Sequence, residues 1–99
     1  MDVIQITDQL EKELRHRNRR VRDAGTRARL ERAARLAVNR MEAGVESAGG
    51  DDHLVDELRD EAIREEGVGS IGGMLAMWIL QSLFTWAIRR AIQIWRGRQ

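Results

Sequence analysis

Residues 68–88, VGSIGGMLAMWILQSLFTWAI, contain no charged side chain, whereas residues 1–66 are dense in Arg, Glu and Asp. An uncharged run of this length must be hidden from water, in lipid or in protein. As one helix it would extend about 31 Å at 1.5 Å per residue. That is close to the roughly 30 Å hydrocarbon core of a bilayer.

The rest of the chain favours helix. Ala, Arg, Glu and Leu are abundant, Pro is absent, and no run alternates β-branched with polar residues. The expected fold is all-α with no sheet: two or three charged amphipathic helices, then a long apolar C-terminal helix that is transmembrane or membrane-interfacial. Ninety-nine residues suffice for one small domain, or for a few helices that need a partner. Without cysteine there is no disulfide framework and no zinc-thiolate site. Residues 1–15 lack the basic start and apolar centre of a signal peptide, so the C-terminal segment is expected to bring the chain to a membrane.

A net charge of +1 conceals three blocks: +3 over residues 1–48, −6 over 51–66 and +4 over 67–99. The expected organisation follows them. Residues 1–50 form a basic helical region, with helices near 8–24 and 27–48. Residues 51–66 form an acidic helix, 67–73 a glycine-rich hinge, and 74–99 the apolar helix with its basic end. Asp8 followed by Glu11 reads as a capping box opening the first helix. Its stripe is Leu10, Leu14 and Val21. Gly25-Thr26 interrupts, with Thr26 expected to cap the second helix. That helix has the stripe Leu30, Ala33, Ala37, Met41, Val45 and Ala48. Gly49-Gly50 is the clearest stop. Asp51 or Asp52 is expected to cap the acidic helix, whose apolar face is Leu54, Val55, Leu58 and Ala62. The first two stripes are narrow and barely offset the ordering entropy of an isolated fold. They are therefore expected to pack against another chain, another copy or a surface, and the acidic helix also suits their arginines.

The apolar segment has features of a membrane helix. Trp78, Trp86 and Trp95 are amphipathic rings of the kind found at membrane interfaces. Arg89, Arg90, Arg96 and Arg98 close it with positive charge. Gly69-x-x-x-Gly73 permits close approach of two helices. Gly69, Gly73, Trp78, Trp86, Arg89, Arg90 and Trp95 are thus the expected membrane or oligomer contacts. Ser82, Thr85, Arg89, Gln93 and Arg96 form a polar stripe on one helical face. The stripe lines a wet channel if copies form a ring, or faces water if the helix lies in the interface. A third arrangement buries the apolar face inside a helical oligomer. The positive-inside rule places the C-terminus in the cytoplasm, which conflicts with moving a charged N-terminal part outside.

Arg15, Arg17, Arg19, Arg20 and Arg22 make a compact basic run suited to phosphates of nucleic acid or an anionic surface. No aromatic residue is interleaved in the run to stack on bases. Asp52, His53, Asp56 and Glu57 cluster at the start of the acidic helix, where the helix dipole already favours acids; no metal is expected. The glycines at 67–73 lack the Lys-Ser/Thr of a phosphate loop, and His16 and His53 are the only histidines. No catalytic residue and no cofactor are expected. The reading that fits best is a non-enzymatic, self-associating helical membrane protein of the virion-structural or holin-like, pore-forming kind. It would reside in a host membrane or a virion, with the lipid bilayer and further copies as partners. The alternatives are a soluble helical adaptor whose tail is buried by partner proteins, and an arginine-rich helix that binds nucleic acid.

Overall fold

The computed structural model describes residues 3–17, 24–44, 49–67 and 74–98. These residues are all-α, in four helices: α1 (Val3–Arg17), α2 (Ala24–Ala43), α3 (Gly50–Glu66) and α4 (Met74–Gly97). There is no strand among them.

α1 starts earlier than its capping signature suggests. Val3, Ile6, Leu10 and Leu14 recur at helical spacing, and Ile6 and Leu10 are fully buried. Asp8 lies within the helix, where it pairs with Arg27 at 2.9 Å instead of capping. The Thr7 hydroxyl donates to the Val3 carbonyl at 2.8 Å. α2 already includes Gly25 and Thr26, so Thr26 is in its first turn. It ends at Ala43, where Gly44 adopts a left-handed φ of 69° and its amide donates to the Met41 carbonyl. Residues 45–48 lie outside the described residues. Gly49, not an aspartate, precedes α3, and no side chain caps it. Asp51 and Asp52 sit in the first turn of α3, favoured there by the helix dipole.

Successive helices run antiparallel. Arg40–Glu57 and Arg29–Glu66 pair at opposite ends of α2 and α3. Asp51–Arg96 and Asp52–Arg89 join α3 to α4. Gln5–Arg98 and Glu13–Arg90 set α1 antiparallel to α4. α2 and α4 share the most extensive interface, and α1 and α3 flank them without touching each other among the described residues. The reason is side-chain size. Ala33, Ala34 and Ala37 of α2 and Ala87 and Ala91 of α4 are all fully buried, and small side chains let two helices approach closely. The result is a flattened bundle of 36 × 27 × 17 Å.

The transmembrane expectation for the C-terminal helix is not supported. Among the described residues no helix is long and apolar enough to cross a membrane. Among the described residues of the uncharged run, the fifteen from Met74 to Ile88 are helical. They span about 22 Å, short of the roughly 30 Å a bilayer core requires. Arg89, Arg90 and Arg96 continue the same helix. Its apolar face is covered by the chain itself: Leu80, Phe84, Ala87, Ile88, Ala91, Ile92 and Ile94 are buried in one core with α1, α2 and α3. Within the chain, the narrow stripes of the first two helices pack against α4 in this same core. α4 supplies the large apolar surface that their alanines lack. The acids of α3 do meet the arginines of α2, and they meet those of α4 rather than α1.

Candidate binding groove on the C-terminal helix

With its apolar face inside, α4 turns its polar stripe outward. Ser82, Arg89, Gln93 and Arg96 are exposed and Thr85 is half-buried. Ser82, Thr85, Arg89 and Gln93, but not Arg96, form the floor of a groove of about 530 Å³, with Arg17 of α1 and Arg59 of α3 as walls. Trp78 and Trp86 also line it. A second groove, about 680 Å³, follows α1 past Gln9, Lys12 and His16. Arg17 and Trp86 belong to both. The Arg17 guanidinium lies 6.0 Å from the centre of the Trp86 ring, at the outer limit of a cation–π contact.

Most cations here are neutralised by a carboxylate. Arg90 donates to Glu13 at 2.7 Å, which holds the Glu13 carboxyl below its usual range and raises Arg90. Arg89 pairs with Asp52 at 3.3 Å. Arg59 pairs with Asp56 at 3.0 Å and Asp60 at 3.4 Å, and Arg15 with Glu11 at 3.5 Å. Arg96 forks onto Asp51 and keeps that carboxyl low. Lys12 and Arg17 are different: among the described residues neither has a salt-bridge partner within 4.0 Å. Lys12 and Arg17 thus bring positive charge to the second half of α1 beside Trp86, with Glu13, which Arg17 helps to hold low, on the same wall.

The acidic cluster of α3 is occupied by the same pairing. Glu57 accepts from His53 at 2.9 Å and from Arg40 at 2.9 Å, while Asp52 and Asp56 hold Arg89 and Arg59. No group of three metal-ligating side chains occurs among the described residues.

The expected contact residues are thus divided. Trp78, Trp86, Arg89 and Arg90 come together in the groove with Ser82, Thr85 and Gln93. Trp95 packs against the core instead. Gly69 and Gly73 lie outside the described residues, as do Arg19, Arg20 and Arg22. Arg15 and Arg17 are exposed on the last turn of α1. Sequence reading missed Arg59, because it lies on the most acidic helix. It also missed Trp86 as a partner of the basic run, because the two are brought together only by the antiparallel packing of α1 and α4. At the other end of the groove, Trp78 is 65% and Ile79 54% exposed, whereas Leu80, Phe84, Ile88, Ile92 and Ile94 of the same helix are buried. No protein-family model, curated protein or solved structure matches the chain.

Proposed function

We propose that this chain is a non-enzymatic helical assembly module that associates with a second copy of itself through the N-terminal end of α4. The observation that supports this reading is the exposure of Trp78 and Ile79 side by side. Burying two such side chains contributes roughly 3–6 kcal/mol. Association costs about 4–15 kcal/mol in lost freedom. The balance makes this contact weak and concentration-dependent, and closed pairing of like chains is the commonest solution for a patch of this kind. A non-catalytic role agrees with the state of the polar side chains, since His53 is engaged by Glu57 and the groove arginines other than Arg17 by carboxylates.

Sedimentation over a concentration series tests the proposal. The wild-type chain is expected to shift toward a dimer as concentration rises. Trp78→Glu with Ile79→Glu is expected to remain monomeric with unchanged helix content. A wild-type chain that stays monomeric at millimolar concentration would remove the proposal.

One observation favours a second reading, in which the same end rests on a lipid surface without spanning it. Trp78 is an exposed amphipathic ring, the type enriched at membrane interfaces. Flotation with vesicles, abolished by the same double substitution, would select that reading over self-association.

A further inference from the structure

We infer that the groove beside Arg17 and Trp86 binds single-stranded nucleic acid. Two elements required for such binding meet here: cations that form no salt bridge among the described residues, and an aromatic face. Lys12 and Arg17 supply cations on one wall, which Glu13 and His16 also line. Trp86 supplies the face, half-buried in the core on one side and open to both grooves on the other. The exposed Arg17 guanidinium lies over the indole, 6.0 Å from its centre, so a base can enter between the two with a small outward shift of that side chain, which then also reaches a phosphate. The floor adds Gln81, Ser82 and Gln93, whose amides and hydroxyl match the donor and acceptor edges of an unpaired base.

The shape argues against the competing anions. A bilayer surface is flat and cannot reach a floor set between two helices. An acidic peptide satisfies the cations but leaves the indole and the amides unused. Duplex nucleic acid presents no open base faces to Trp86. The inference rests on Arg17 and Trp86, whereas self-association rests on Trp78 and Ile79; Trp78 lines the far end of the same groove.

The test is anisotropy of short labelled oligo(dT) and oligo(U) titrated with the full chain, alongside polyglutamate and phosphatidylglycerol vesicles. Oligonucleotide binding is expected to weaken as salt rises and to quench tryptophan fluorescence. Trp86→Leu, which keeps an apolar side chain on the core, is expected to weaken binding roughly tenfold and to remove most of the quenching. Arg17→Gln, an exposed change that spares the core, is expected to weaken binding and flatten the salt dependence. The ratio of oligo(dT) to oligo(U) affinity tells DNA from RNA. The inference is overturned if neither oligonucleotide binds. It is equally overturned if polyglutamate or vesicles bind in their place, or if both substitutions leave oligonucleotide affinity unchanged.

Discussion

Phe84 is the largest side chain that the fold removes completely from water, and it sits at the centre of the helix that unites the other three. Truncating such a residue costs about 3–5 kcal/mol, through lost burial and the cavity left behind. A domain of this size has about 5–15 kcal/mol in total. Phe84→Ala is therefore expected to lower the thermal midpoint by roughly 12 °C or more, as measured by circular dichroism. Leu80 carries a related lesson. In the fold Leu80 is only 8% exposed, so Leu80→Arg places a charge against the core and destabilises the chain with or without lipid. At this scale some residues were legible and others not. Leu54, Val55, Leu58 and Ala62 were readable as the inner face of α3, and all four are buried. The partnership of Arg17 with Trp86 was invisible, since no local spacing encodes a contact between the first helix and the last.

At the level of elements, charge holds α3 in place. Arg29, Arg32, Arg35 and Arg40 of α2 reach Glu57, Glu65 and Glu66 of α3. Burial alone would raise the Glu66 carboxyl, but the Arg29 and Arg32 guanidiniums outweigh it and leave it lowered. Hydrogen bonds from Arg40 lower Glu57, and from Arg90 lower Glu13. A carboxylate whose pKa is lower in the folded than in the unfolded chain stabilises the fold above its ordinary value. That contribution is lost as pH falls through the folded value. The ordinary value for glutamate is 4.5, so the thermal midpoint should begin to fall as pH drops below about 4.5 and decline further with acid. Glu66→Gln removes part of that decline; a midpoint profile identical to wild type across the acid range would show that the Glu66 pairing contributes nothing. Each exposed pair is worth little, and the partly buried Arg29–Glu66 pair is expected to matter most. Element boundaries were harder to read than element number. Asp8 and Glu11 imitate a capping box, yet their carboxylates serve Arg27 on the next helix. Val3 and Ile6 extend the stripe of α1 beyond that false start.

For the whole molecule, the sequence posed one question: what hides the apolar segment. Its hydrophobicity was plain, but not its recipient. Lipid and protein interiors reward the same side chains, so length and composition alone leave both open. The deciding features are distributed. Buried alanines on α2 let α4 approach, and arginines on α4 find acids on α1 and α3. Together they make the C-terminal helix the core of a bundle rather than a span. Hydrogen exchange of the full chain, free of lipid and detergent, tests this most directly. The account predicts that amides of residues 80–94 are among the most protected in the molecule, together with those of 30–38, and that added vesicles leave this protection unchanged. Rapid exchange across 80–94 in buffer, with protection appearing only when vesicles are added, would contradict it.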